Sequence, residues 1–294
     1  MSIVASDLRA KRGWRSTKSQ IMTVLMFVAF LVILVPLVFV FGTVISKGGG
    51  IVFRHFPAWF TTDIPTRSRA VGPGMGPAIV GTIVITLTAA VVAVPLGILG
   101  AIYLHEYGGG SRTAKVVRFL ANVMTGVPSI VMGLFVYVLF TLHFGSRGIG
   151  GALALSCLML PVVIRSTEEM LRLVPGHLRE ASYALGTNKA RTILTVVLPS
   201  ALPGIVSGCL LAVARAAGET APLLFTIGVV TKRNWNVFSG PTTSLSYQIF
   251  NNASQTLAGP QERGWGAALT LVALTFLFTI VARVVTARYQ RRLG

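Results

Sequence analysis

The chain contains 294 residues, of which 53% are hydrophobic and only 12% are charged. Soluble domains carry about 25% charged residues, so this composition excludes an ordinary soluble domain and assigns the excess apolar side chains to lipid. The net charge of +18 would suit a nucleic-acid-binding protein. The basic residues instead lie at the edges of long uncharged runs and form no continuous stripe, which is typical of membrane orientation and not of nucleic-acid binding.

Apolar runs long enough to cross a bilayer as helices predict an all-α membrane protein with six spans. The spans lie at about 20–45, 78–104, 119–142, 148–164, 199–221 and 264–284. They form a transmembrane domain, 20–285, between an N-terminal tail, 1–19, and a C-terminal tail, 286–294. A long loop, 165–198, separates the fourth and fifth spans. Glycines at 48–50 and the stretch 72–74 are interpreted as turns between spans.

The distribution of basic residues predicts the orientation of these spans, because cytoplasmic segments are enriched in Lys and Arg. With both termini in the cytoplasm, the inner segments hold 17 of the 26 basic residues and the outer segments hold 8. Arg54, Arg67 and Arg69 fall on the outer side and weaken the bias. We therefore expect both tails, and the loop 165–198, to be cytoplasmic.

The long loop contains a short amphipathic segment. Leu178, Ala181 and Leu185 share one helical face, and Gly186 is placed to end that helix in a left-handed cap. From the residues alone, such a helix could lie on lipid headgroups or dock into another protein.

The same loop resembles the EAA loop of ATP-binding cassette (ABC) importer permeases, E-A-A-x3-G-x9-I-x-L-P. The matching residues, with two mild departures, are Glu180, Ala181, Ser182, Gly186, Val196, Leu198 and Pro199. In that family the loop forms a coupling helix seated on the ATPase subunit. The resemblance therefore implies a six-transmembrane-helix importer permease fold in which residues 176–190 contact a separate ATPase.

Two further segments narrow the resemblance to phosphate-specific permeases of the PstA type. Residues 126–133, GVPSIVMG, resemble their G-V-P-S-[IV]-V-x-G signature, and residues 215–222, RAAGETAP, resemble their R-A-x-G-E-T pattern. The resemblance implies an inorganic phosphate importer in the bacterial inner membrane. It also implies a PstC-type second permease, two ATP-binding subunits that hold ATP and Mg²⁺, and a phosphate-binding protein on the outer face. This chain itself would need no cofactor.

Arg215 and Glu219 are two charges four residues apart in the apolar fifth span, so they share a helix face. They could be a mutually neutralising pair that only fixes helix packing. Alternatively, Arg215 lines the translocation path and binds an oxyanion, because its planar fork suits phosphate oxygens, with Glu219 holding it in place. Thr220 and Ser129, in the two signature segments, are the other candidate path residues. We expect the fifth span to break near Gly218, before Pro222.

Small residues recur every four positions in the fifth span and predict close packing against another helix. They are Gly204, Gly208, Ala212 and Ala216.

Three other functions compete with phosphate import. A permease for sulfate or molybdate would share the EAA loop but not the two signature segments. An ion-driven secondary transporter predicts internal repeats and several coupling carboxylates, whereas Glu219 is the one acid within the predicted spans. A membrane-embedded enzyme lacks support because no span pairs a nucleophile with a base, and no phosphate-binding G-x4-G-K-[ST] loop occurs. Cys157, Cys209 and the four histidines have no metal-ligand spacing, so we predict no metal site.

Overall fold

The computed structural model describes residues 14–65 and 73–290, which are organised as helices joined by short connections, with no strand in those ranges. Arg67, Arg69, Gly72, most of the N-terminal tail and the last four residues lie outside the described part. The helices are α1 (Trp14–Arg54), α2 (Ala58–Thr61), α3 (Gly76–Ile102), α4 (Arg112–Gly126), α5 (Ser129–Val136), α6 (Leu142–Phe144), α7 (Gly148–Leu173), α8 (Gly176–Ala184), α9 (Lys189–Thr192), α10 (Leu198–Ala217), α11 (Leu223–Thr226), α12 (Leu245–Ala253) and α13 (Ala258–Gln290).

Three π-helical turns extend these elements. Tyr103–Tyr107 continues α3, Tyr137–Thr141 joins α5 to α6, and Ile193–Val197 joins α9 to α10. A π-helical turn loosens the regular hydrogen-bond ladder and is frequent at functional sites.

The chain divides at residue 46 into two units. In the described part of the first unit, α1 is a helix whose long apolar side chains are almost all exposed, as expected for a helix that faces lipid. The second unit, from Lys47 onward, contains the packed core.

Five of the described helices are long and apolar enough to cross a membrane, and the pair α4 and α5 gives a sixth if it counts as one bent span. The helices of that pair meet at 107°, so the segment predicted at 119–142 is not one straight helix. Val127, whose ψ is 127°, is extended between them. A residue that precedes a proline disfavours the helical region, so Pro128 accounts for the break.

The predicted loop 165–198 begins inside a helix. α7 continues through Leu173, nine residues past the predicted end of the fourth span. Arg165, the first charged residue after the predicted span, is unfavourable in contact with lipid, but a charged residue does not end a helix. Pairs four residues apart stabilise the extension, with Arg165 Nε 3.4 Å from Glu169 Oε1 and Arg172 Nη2 3.9 Å from Glu168 Oε1.

Gly48, Gly49 and Gly50 do not form the predicted turn but lie within α1. At Gly48 a Cβ atom would lie 2.6 Å from the carbonyl oxygen of Trp265 on α13. This glycine therefore permits a close approach of two helices within the second unit, and the sequence alone did not separate that use of glycine from a turn.

Three helices form the centre of the second unit. α3 and α7 run parallel, because Ile85 packs beside Gly151 and Gly97 packs beside Val163. α10 runs antiparallel to α7, and its small residues form the predicted close packing. A Cβ atom on Gly204 would meet Met170, one on Gly208 would meet Ser166, and Ala212 and Ala216 are buried.

Candidate functional site

An open cavity of about 440 Å³ lies between the α4–α5 junction, α7 and the end of α10. Its lining combines apolar side chains with two arginines and two glutamates. The lining residues are Met124, Thr125, Val127, Ser129, Leu158, Pro161, Val162, Arg165, Ser166, Glu169, Arg215 and Glu219. Three of the four predicted path residues, Ser129, Arg215 and Glu219, therefore meet in one cavity.

Arg215 lies in the last turn of α10, and Glu219 follows just after the helix ends at Ala217. The break is where the sequence predicted it, and the amide of Glu219 donates to the carbonyl of Ala216. Arg215 Nε lies 3.9 Å from Glu219 Oε1, and the two side chains are 73% and 23% exposed. The guanidinium is therefore held loosely by the carboxylate and keeps donors available to the cavity.

A second pair of the same kind faces the cavity from α7 and was missed in the sequence. Arg165 and Glu169 repeat the Arg-x3-Glu spacing of the pair on α10. The antiparallel contacts of Gly204 and Gly208 place Arg165 about six residues, or roughly 9 Å, along the helix axis from Arg215. The repeated spacing was the signal, but Arg165 was interpreted only as the border of a span.

Thr220 is not among the residues that line the cavity. Its carbonyl accepts from the amides of Leu223 and Leu224, at 3.1 and 3.3 Å, and so begins the short helix α11. The structure therefore places Thr220 in the connection between α10 and α11 and does not bring it to the cavity with the other three residues.

The two signature segments touch each other beside the cavity. A Cβ atom on Gly133 of α5 would lie 2.5 Å from Pro222 Cα and 3.0 Å from its carbonyl oxygen. Only glycine allows this approach of two backbones. The contact joins the segments 126–133 and 215–222, so each fixes the position of the other.

We expect Gly133→Ala to reduce transport, because a methyl group that meets backbone forces α5 and the turn at Pro222 apart, at a cost of about 1–3 kcal/mol. Gly126→Ala is the matched control, since nothing lies within 4 Å of its Cβ position. Uptake and thermal stability of both purified variants provide the measurement. Equal behaviour of the two variants would contradict the packing role of Gly133.

The predicted coupling segment forms α8 and ends in the predicted glycine cap. Gly186 has φ +80°. Its amide donates to the carbonyl of Tyr183 at 2.9 Å, and the amide of Thr187 donates to the carbonyl of Ser182 at 3.3 Å. These two bonds are the Schellman motif, in which the left-handed residue closes the helix.

Of the apolar face predicted for α8, only Leu178 is covered within this chain. Leu178 packs against the core, but Ala181 is exposed and Leu185 is 85% exposed. Ser182 is buried instead, and its hydroxyl bonds to the hydroxyls of Thr187 and Thr192 at 2.6 and 2.9 Å. These polar bonds hold α8 to α9, and the exposed Ala181 and Leu185 remain available to lipid or to another protein, as the sequence predicted for this face.

The other predicted coupling residues have distinct surroundings. Glu180 is exposed, so its carboxylate is available to a partner. Leu198 packs against the core at the start of α10, and Pro199 lies in the first turn of that helix, directly after the π-helical turn Ile193–Val197.

A buried ion pair, also missed in the sequence, joins α8 to the end of α3. Arg179 Nη2 donates to Glu106 Oε1 at 2.8 Å, with only 17% and 7% of the two side chains exposed. The same guanidinium donates to the carbonyls of Val174 and Leu171 at the end of α7. One arginine thus connects the coupling segment to two long helices.

Comparison with known proteins identifies the class. The profile of the binding-protein-dependent transport system inner membrane component family matches residues 93–294. The inward-facing MetNI methionine ABC transporter resembles the fold with a TM-score of 0.57 at 18% identity, over 71% of this chain and 91% of that one. An amino acid ABC transporter gives a TM-score of 0.52 at 19% identity, over 73% and 92%. The chain is an ABC importer permease, a non-catalytic, multi-pass component of the membrane.

Relatives within that class are more similar still. Phosphate transport system permease protein PstA 1 of Mycobacterium tuberculosis is 44% identical over 95% of this chain and 91% of the relative. The PstA protein of Yersinia pestis is 41% identical over 95% and 94%. The chain belongs to the family of PstA permeases.

Proposed function

We propose that this chain is the transmembrane permease subunit of an ATP-driven importer of inorganic phosphate. The observation that carries the proposal is near full-length similarity to PstA phosphate transport permeases. The cavity supports it, because the two phosphate-permease signature segments meet there around Arg215. A permease for sulfate or molybdate would share the EAA loop, but nothing in the relatives or in the two segments favours those anions.

Arg215 is the proposed anion-binding residue of the path. A charged side chain in the hydrocarbon region costs roughly 2.5–3.5 kcal/mol without a partner or water, yet Arg215 is largely exposed in this chain. A second permease subunit of the PstC type, facing this open side, would complete the cavity and make this chain one half of the path. Ser129 contributes a hydroxyl to the same lining, and Glu219 orients the guanidinium.

The segment 176–190 of the loop 165–198 is the proposed contact with the ATPase. Its exposed side chains include Glu180, Ala181, Tyr183 and Leu185, a mixed surface that suits a protein cleft. Two ATP-binding subunits would hold the ATP and Mg²⁺. This arrangement puts the loop and both termini in the cytoplasm, and a phosphate-binding protein delivers substrate to the opposite face of the bacterial inner membrane.

Reconstitution of the complete transporter in vesicles tests the proposal. The chain is co-purified with its second permease and ATPase subunits, and uptake of labelled phosphate, sulfate and molybdate is measured with ATP and each binding protein. We expect ATP-dependent uptake of phosphate at least about tenfold above that of the other two anions, as expected when an oxyanion is selected by several charge-assisted hydrogen bonds. Equal or greater uptake of sulfate or molybdate would refute phosphate as the substrate.

A further inference from the structure

The C-terminal end of α3 is bound by side chains of the coupling segment, which is distant from it in sequence. Glu106, in the π-helical turn that extends α3, receives the buried ion pair from Arg179 of α8. Lys189 of α9 donates to the Glu106 carbonyl and lies 4.8 Å from the centre of the Tyr107 ring. Movement of α8 and α9 must therefore displace this end of α3 or break a buried ion pair.

The opposite end of α3 contacts the segment that leads into α12. A Cβ atom on Gly81 would lie 1.9 Å from the carbonyl oxygen of Thr243, so the two backbones are in direct contact. At the next residue of α3, Thr82 Oγ1 accepts a hydrogen bond from the amide of Leu245 at 2.8 Å, and both residues are buried. The hydroxyl of Thr82 satisfies a buried amide at the start of α12, which would otherwise lack that acceptor.

α12 in turn is hydrogen-bonded to the backbone of Glu219, a residue that lines the cavity. Ser246 Oγ donates to the carbonyl oxygen of Glu219 at 3.0 Å, immediately after the break that ends α10. Glu219 is the carboxylate that faces Arg215 across the cavity lining. A displacement of α12 would therefore reach the backbone that carries the proposed anion-binding pair.

α3 and its π-helical extension form one continuous helical segment that joins the two ends, with Pro95 inside it. It is helical from Gly76 to Tyr107, and the 24 residues from Thr82 to Glu106 span about 36 Å, which exceeds a hydrocarbon core of about 30 Å. Close packing of Gly97 against Val163 holds α3 to the parallel helix α7. A continuous helix that packs along a parallel neighbour and has a polar connection at each end is suited to carry a displacement across the membrane.

We propose that α3 is the mechanical link by which the coupling loop controls the anion site. Glu106 takes the displacement from Arg179 at one end, and Thr82 passes it to α12 and Glu219 at the other. These two are positioning residues, since neither lines the cavity. The inference rests on the proposed function in one respect, namely that the displacement starts at the ATPase and ends at the anion site. The link itself depends only on contacts within this chain.

The first test removes the Glu106 connection and restores it covalently. Glu106→Cys and Arg179→Cys are combined in a transporter in which Cys157 and Cys209 are replaced by serine. Before linking, we expect stimulated ATP hydrolysis to persist and phosphate uptake per ATP to fall about tenfold, within the range of measured coupling effects. Joining the two thiols with a short bis-methanethiosulfonate, which forms one disulfide with each thiol and releases sulfinate, should restore uptake, and reduction of those disulfides should lower it again. If linking the two thiols left the phosphate uptake per ATP unchanged, the proposal would be overturned.

The second test acts on the other end and uses a matched control. Thr82→Val removes the hydroxyl that accepts from Leu245, and Thr88→Val removes one that bonds only within its own helix. We expect Thr82→Val to lower uptake per ATP about tenfold, Thr82→Ser to restore it, and Thr88→Val to leave it unchanged. If Thr82→Val had the same phosphate uptake per ATP as the unmodified transporter, the proposed link through α3 would be contradicted.

A readout that needs no phosphate separates this inference from the proposed function. Asn252 of α12 is buried, so the rate at which Asn252→Cys reacts with an impermeant maleimide reports movement of α12. We expect ATP with vanadate to change that rate in the complete transporter, and Thr82→Val to abolish the change. If phosphate uptake were absent but this response were present, only the substrate assignment would fail. If nucleotide changed the rate equally in both backgrounds, the mechanical link would be refuted.

Discussion

Replacement of Arg215 by glutamine is expected to abolish phosphate uptake while the transporter still assembles and hydrolyses ATP. The geometry supports a role in anion binding over a role in packing. The guanidinium is 73% exposed and lies 3.9 Å from Glu219, so little of the packing of α10 depends on it. Loss of one charged hydrogen-bonding partner typically costs about 1.5–3 kcal/mol, or roughly 10- to 150-fold in affinity for the anion. Uptake and ATPase rates of the reconstituted variant provide the measurement.

Arg172→Gln is the matched control for this prediction. Arg172 also lies 3.9 Å from a glutamate four residues away and is also 73% exposed, but it does not line the cavity. We expect its uptake to stay close to that of the unmodified protein. The double variant Arg215→Gln, Glu219→Gln removes both charges of the pair. If that double variant recovered uptake, Arg215 would serve only to neutralise Glu219, and its assignment to the path would be wrong.

The sequence was sufficient for the features that depend on local pattern. Spans follow from apolar length, and the cap at Gly186 follows from the absence of a Cβ atom. The meeting of Ser129, Arg215 and Glu219 in one cavity was expected from the family resemblance, since the segments that carry them are far apart in sequence. The break at Gly218 followed from the nearby proline and glycine.

The features that were missed depend on packing between distant segments. Glu106 and Arg179 are 73 residues apart, and nothing local to either residue indicates the pairing. Arg165 carried the visible spacing Arg-x3-Glu, but hydropathy assigned it to the border of the membrane, although the helix continues beyond it. The burial of Ser182 depends on hydroxyl contacts with Thr187 and Thr192, which the apolar periodicity of α8 does not indicate.

Replacement of Gly186 by valine is expected to abolish uptake and stimulated ATP hydrolysis together, while the protein still inserts in the membrane. The φ of +80° is strained for any residue with a Cβ atom and most of all for a β-branched one. The cost of about 1–3 kcal/mol would open the Schellman motif at the end of α8. Since the hydroxyl cluster of Ser182, Thr187 and Thr192 lies directly behind that motif, the presentation of α8 to the ATPase would change.

Gly186→Val should lose the contact between α8 and the ATPase as well as uptake and ATP hydrolysis. Leu185→Cys, at a position 85% exposed beside the cap, is expected to cross-link to the ATPase in the unmodified background and not with Gly186→Val. Asparagine tolerates the left-handed region, so Gly186→Asn should keep most activity. Gly176→Val is the control, because its Cβ position is open and its φ is not positive. Full ATPase stimulation in Gly186→Val, or an absence of any cross-link from position 185 in the active transporter, would show that this loop is not the contact through which the ATPase acts.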